Sequence, residues 1–157
     1  MAVSGIALKP NQTFLPIATL RQNLALGKIG LSMINFSEEI VELLNNYFSE
    51  NEEFVESVLL ASYGLNIQFV NFNIQCEERV FATINGNDYE WNDAPNSGPW
   101  GALGRQRALK AHLKARNLLC IIFESGDSID IETVEGQYES VIFTFPPQGG
   151  SLVMEIF

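Results

Sequence analysis

From residue 65 onward apolar and polar residues alternate. Leu65, Ile67 and Phe69 are apolar in one phase, and Val70, Phe72 and Ile74 continue in the other. Period-two alternation predicts strands with one buried face. A slip of one residue inside such a run predicts a β-bulge. A turn at Cys76-Glu77-Glu78 leads back into Val80, Ala82 and Ile84, and Asn85-Gly86-Asn87 closes a further hairpin. The apolar run Leu118 to Phe123 meets a turn at Ser125-Gly126-Asp127. Ile129 and Ile131 then alternate with Ser128, Asp130 and Glu132, and Glu135-Gly136-Gln137 turns toward Tyr138-Glu139-Ser140. This pattern predicts an antiparallel meander over 118–142, buried on one face and acidic on the other. Val141, Phe143 and Phe145 share a phase, and residues 146–150 turn the chain. Leu152 to Phe157 read as a last strand whose apolar end is docked.

Helical spacing appears in two other stretches. Ser37 is a good N-cap, with Glu38 and Glu39 in the first turn and Phe36 and Val41 placed as a hydrophobic staple. Ile40, Val41, Leu43, Leu44, Tyr47 and Phe48 supply the apolar face. Ser49 with Glu52 forms a capping box, and Phe54, Val55, Val58 and Leu59 continue the spacing to Tyr63, with Gly64 as the stop. Two short helices, or one bent helix, are expected there. A further helix is expected over 101–116, with Leu103, Leu109 and Leu113 inward and the basic residues outward. Before residue 37 the pattern is weak. Val3 to Leu8 suits a short strand, Ile17 to Leu26 a helical turn or two, and Lys28 to Asn35 a strand.

These elements predict one α+β domain over 1–157: an antiparallel sheet of two β-meanders with two or three helices packed on it. Residues 1–64 are mainly helical, and 65–157 hold two meanders linked by helix 101–116. At an offset of 49 the meanders align Ile74 with Phe123, Val80 with Ile129, Ala82 with Ile131, Tyr89 with Tyr138 and Glu90 with Glu139. Either the chain carries a duplication, or two meanders look alike because all meanders alternate.

Composition narrows the functional classes. The 157 residues are 46% hydrophobic and carry a formal charge of −10. That content supports a folded core. The charge argues against nucleic acid as partner, since phosphate binders gain affinity from basic residues. Residues 101–116 nevertheless hold Arg105, Arg107, Lys110, Lys114 and Arg116 and no acid. No apolar run is long enough to span a bilayer, and the N-terminus lacks a signal-peptide pattern, so a cytoplasmic protein is expected. Without such a leader the Asn11-Gln12-Thr13 sequon carries no weight. Cys76 and Cys120 allow one disulfide by count, but in a reducing compartment they read as buried free thiols.

Catalytic equipment is sparse, and neither enzymatic activity nor a cofactor is expected. His112, the only histidine, lies between Lys110 and Lys114. A general base or a zinc ligand needs cysteine or carboxylate company, which this neighbourhood does not supply. No pair of cysteines or histidines has metal spacing. No phosphate loop, nucleophile elbow or dinucleotide fingerprint is present. Asp130 and Glu132 share a strand face at roughly 7 Å, which keeps a two-carboxylate hydrolase as an alternative. Trp91 and Trp100 bracket a turn-rich loop, as interface anchors or as plugs of the core. The clearest hint is a group of acids, Glu77, Glu78, Glu124, Asp127, Asp130, Glu132, Glu135 and Glu139, which with Trp100 form the expected partner-binding set.

Phe123-Glu124-Ser125-Gly126-Asp127, the alternating strand after it and Tyr138-Glu139-Ser140 resemble the C-terminal β-meander of small bacterial immunity proteins encoded beside polymorphic toxins. The resemblance covers residues 65–146, with short motifs. It implies a cytoplasmic antitoxin that binds one cognate toxin domain, and an acidic inhibitor suits a basic toxin such as a nuclease. The basic stretch 101–116 departs from a purely acidic mimic; it would contact acid on the toxin or pair with this protein's own acidic strands. A self-associating module, with 152–157 pairing across a two-fold axis, is a further alternative.

Overall fold

A computed structural model describes residues 35–61, 64–92, 99–136, 139–148 and 151–157. The elements expected within 1–34, and Tyr138, lie outside the described residues. The one α-helix among them is α1 (Glu38–Glu50). Ser37 caps it as expected, in an extended conformation, with Oγ accepting from the Ile40 N–H at 3.3 Å. Ile40, Leu44 and Phe48 form its buried face. The helix stops at Asn51, which is extended and bonds its N–H to the Tyr47 carbonyl.

Among the described residues ten strands make two five-stranded antiparallel sheets. The strands are β1 (Val55–Ala61), β2 (Gly64–Phe69), β3 (Asn73–Cys76), β4 (Arg79–Ile84), β5 (Asn87–Asn92), β6 (Ala108–Ala115), β7 (Leu118–Phe123), β8 (Ser128–Glu132), β9 (Val141–Gln148) and β10 (Ser151–Ile156). Sheet 1 runs β1-β2-β3-β9-β10, and sheet 2 runs β5-β4-β8-β7-β6. The inward rows of both sheets and the apolar face of α1 enter one core. Phe36 packs edge-on to Phe143 and tilted against Phe157, Phe48 lies tilted against Phe69 and Phe72, and Tyr47 is tilted against Phe72 and stacked on Phe145.

Both stretches read as additional helix prove to be strands, for one physical reason. In β1 the register slips between Val55 and Ser57, so Val55 and Val58 both take inward partners, Phe69 and Ile67. In β6 it slips between Ala108 and Lys110, so Ala108 and Ala111 face Phe123 and Ile121 on the core side. A bulge places residues three apart on one face, which copies the spacing of a helix. Of the expected helix 101–116 only 101–103 wind, as the end of a 3-10 turn over Pro99–Leu103. Leu109, assigned inward, is 48% exposed.

The phase slip after Phe69 is not a bulge either. It is a tight turn at Val70-Asn71 that joins β2 to β3, closed by the Phe69 N–H on the Phe72 carbonyl. The Asn85-Gly86 hairpin is present, with φ of 52° and 76° at those residues, as a two-residue turn with the strand twist requires.

Two expected meanders are each split between sheets. At Glu77-Glu78 the chain passes from β3 in sheet 1 to β4 in sheet 2, and after Glu132 it returns from β8 in sheet 2 to β9 in sheet 1. β3 pairs with β9 and β4 with β8, so the crossovers run side by side. The Glu77 N–H bonds the Ser140 carbonyl at 2.9 Å and ties them. The alignment at offset 49 fails structurally, because β3 to β4 changes sheet while β7 to β8 is a hairpin inside one sheet.

The sheets also join along one edge. Phe54 bridges Arg107, the Val55 N–H bonds the Gln106 carbonyl, and the Ala108 N–H bonds the Glu53 carbonyl. At the other end Phe157 exchanges backbone bonds with Val141, so the C-terminal residue is docked and buried.

Candidate functional site

The acids singled out in the sequence separate into three environments. The first is the outer face of sheet 2. Asp130 on β8 receives Lys114 Nζ from β6 at 2.6 Å. Arg79 on β4 meets Glu90 at 3.0 Å and Glu132 at 3.2 Å, with its guanidinium 4.9 Å from the centre of the Phe81 ring. Arg107 lies 3.9 Å from Glu124. Exposed pairs of this kind contribute roughly 0–1 kcal/mol each. Their larger effect is on the surface field: Lys114 of β6 and Arg79 of β4 offset acids of their own sheet. The Lys114 ammonium is held above its ordinary pKa by its hydrogen bond to Asp130, against the opposing effect of burial.

The second environment is the interior. Asp127 is only 7% exposed. Its Oδ1 accepts from the Asn85 N–H at 2.9 Å and its Oδ2 from Gln106 Nε2 at 2.7 Å. It clips the β4–β5 turn to the β7–β8 turn. Trp100 is 1% exposed and Trp91 fully buried, so both plug the core and neither is a surface anchor. Neither indole Nε1 has a hydrogen-bond partner among the described residues.

The third environment is the crossover end. Glu77 and Glu78 lie on one crossover, and Glu135 and Glu139 on the other. Glu78, Glu135 and Glu139 are exposed and Glu77 half-buried. Gln75 Nε2 donates to Glu77 at 2.7 Å. None of the four meets a cation among the described residues. Residues far apart in sequence thus place four carboxylates at one end of the molecule.

One constellation was missed from sequence. His112, Cys120 and Asp130 are direct register partners across β6, β7 and β8. The cysteine and carboxylate company that His112 was expected to lack is supplied by strand pairing. Burial, then the adjacent Asp130, push the Cys120 thiol up to about 12, with Lys114 opposing. A nucleophilic cysteine needs the reverse shift, so this row is a protonated thiol between polar neighbours. No group of three His, Cys, Asp or Glu among the described residues is arranged to hold a metal ion. Cys76 is also free and buried, and desolvation raises its pKa further still. The signal for the row is the placement of Cys120 between inward Leu119 and Ile121, but its neighbours depend on β6, a strand whose sequence has the spacing of a helix.

No helix among the described residues is long and apolar enough to cross a membrane. No family model matches the chain, and comparison with curated proteins and with solved structures returned no match.

Proposed function

We propose that this protein is a binding protein of the immunity type, which holds a basic toxin domain at its acidic crossover end. The observation that carries this reading is the grouping of Glu77, Glu78, Glu135 and Glu139 on two crossovers tied by the Glu77–Ser140 backbone bond, with no cation opposite them among the described residues. A concentration of carboxylates raises the capture rate of a positively charged partner. The formal charge of −10 acts in the same direction. A nuclease, whose surface is shaped for phosphate, fits such a patch. On this reading the protein acts in the cytoplasm, without a cofactor and without turnover.

The hydrolase alternative has less support. Asp130 and Glu132 do share a face, but each is committed to a cation, Lys114 and Arg79. A carboxyl group that delivers a proton works in the opposite setting, apolar and without a cation.

The test is to mix the protein with the product of the neighbouring gene and to measure binding and rescue from toxicity. Replacing Glu77, Glu78, Glu135 and Glu139 together by Lys should slow association at least about 10-fold and remove most of its salt dependence. Replacing Glu124 by Lys should leave association near wild type. Absence of any complex, or association unchanged by the fourfold replacement, would overturn the assignment.

A further inference from the structure

The outer face of sheet 1 contrasts with every other described surface. Outward positions on its five strands carry no Asp, Glu, Lys or Arg among the described residues, from Ser57–Ala61 on β1 to Met154–Ile156 on β10. Charge returns only at the ends, with Glu56 in the β1 bulge and Glu77 at the crossover. The register sets Asn66 opposite Gln75 and Gln68 opposite Asn73, a block of four amides at the middle of the sheet. Leu59 lies beside this block on β1, 62% exposed, and Ile156 lies beyond it on β10, 42% exposed.

We infer that this uncharged face is the site at which two copies of the chain pair. Three observations select a second copy as occupant. The first is electrostatic. Each copy carries −10, so contact through the crossover end, or through the exposed Glu38, Glu39 and Glu42 of α1, sets like charges together. Contact through the outer face of sheet 2 would desolvate its ion pairs. The outer face of sheet 1 has no ion pair to desolvate, and it meets charge only at its margin, where Glu77 accepts from Gln75.

The second is self-complementarity. A two-fold interface places the same patch on both sides. An amide carries both donors and an acceptor, so an amide block can meet its own copy. Asn66 and Asn73 are free for this, with no side-chain hydrogen bond among the described residues, whereas Gln68 and Gln75 donate within their own chain. Apolar residues on both sides of the block then meet apolar residues, and depletion of charge at the centre is the usual composition of an interface core.

The third is area. Strands about 4.8 Å apart and outward positions about 6.8 Å apart along each strand give a face of roughly 400 Å² in projection. Ridged side chains raise its accessible area toward the ~800 Å² that one partner of a stable pair buries.

Sedimentation equilibrium of the full chain between 1 and 200 μM, on the order of ordinary homodimer affinities, tests the assignment. Wild type should sediment as a dimer. Asn66→Lys with Asn73→Lys puts two cations per copy at the centre of the pair and should weaken it at least about 100-fold, with the circular dichroism unchanged. Leu59→Arg, at a position open enough to spare the fold, should weaken it by about 10-fold or more. A wild-type monomer over the whole range overturns the assignment, whether the face is then covered by the chain's own first residues or by another protein. A dimer that neither variant weakens also overturns it. The acidic crossover end lies outside this face, so a toxin complex can fail while the dimer stands, and the reverse.

Discussion

The side-chain amide of Asn45 pairs with both backbone groups of Ala111. Its Oδ1 accepts from the Ala111 N–H at 2.8 Å, and its Nδ2 donates to the Ala111 carbonyl at 2.9 Å. Helix α1 thereby presents one residue as a fragment of strand to the open edge of β6. Unpaired edges invite pairing with other chains, and here part of that edge is closed from within.

Asn45→Ala should therefore lower stability by about 1–3 kcal/mol, since it leaves a donor and an acceptor without partners. Asn45→Asp should cost a similar amount, because a carboxylate cannot donate to the Ala111 carbonyl. Urea denaturation measures the loss. A change of less than about 0.5 kcal/mol for both variants would show that water replaces the pairing freely.

Asp127→Ala should destabilise by about 1–3 kcal/mol through the abandoned Asn85 N–H and Gln106 amide. The damage should be local first. Hydrogen exchange should accelerate at Asn85 more than at the centre of β4, because the lost clip holds the hairpin tip. Equal acceleration along the whole strand would contradict the clip.

Glu155 sits on the inward phase of β10, opposite Phe143. Burial, and secondly Glu39 on α1, hold its carboxyl above the usual range. Its neutral form fits the fold better than its charged form. The contribution is complete below the unfolded carboxyl value near 4.5 and is lost as pH rises through the raised folded value. Glu155→Gln should raise the melting temperature at pH 7 and change it little at pH 3. A melting temperature that falls at pH 7 would reverse this assignment.

Cys76 and Cys120 are neutral thiols in the folded protein, with Cys120 held up to about 12. Both should resist a thiol-reactive dye at pH 8 and label fully in denaturant. Their raised pKa also has an alkaline signature. Stability is unaffected below the unfolded thiol value near 9.0 and falls as pH climbs from there toward about 12. A variant with alanine at both positions should show a shallower alkaline decline. Rapid native labelling at pH 8 would show that the burial is not maintained in solution.

The neutralised face of sheet 2 shows what strand pairing adds to charge counting. Read one strand at a time, Asp130 and Glu132 look free and acidic. Lys114 and Arg79 arrive from β6 and β4, two elements away in the sheet in one case and adjacent in the other. The expected partner-binding set therefore contains paired, buried and unpaired members, and only the unpaired ones at the crossover end support the proposed contact.

What the amino-acid order determined by itself is local. Alternation marked the inward rows of β2, β4, β8 and β9. Asn85-Gly86 and Ser125-Gly126 marked their turns, and Ser37 with the spacing of Ile40, Leu44 and Phe48 marked α1. These features depend on side-chain direction and backbone dihedrals within a few residues. Tertiary structure decided which strands share a sheet, that β1 and β6 are strands at all, and that His112, Cys120 and Asp130 are neighbours. A bulged strand and a helix bury the same three-residue spacing, so pattern cannot separate them. Pairing depends on where two distant segments find complementary edges over a common core, and that is a property of the assembled molecule.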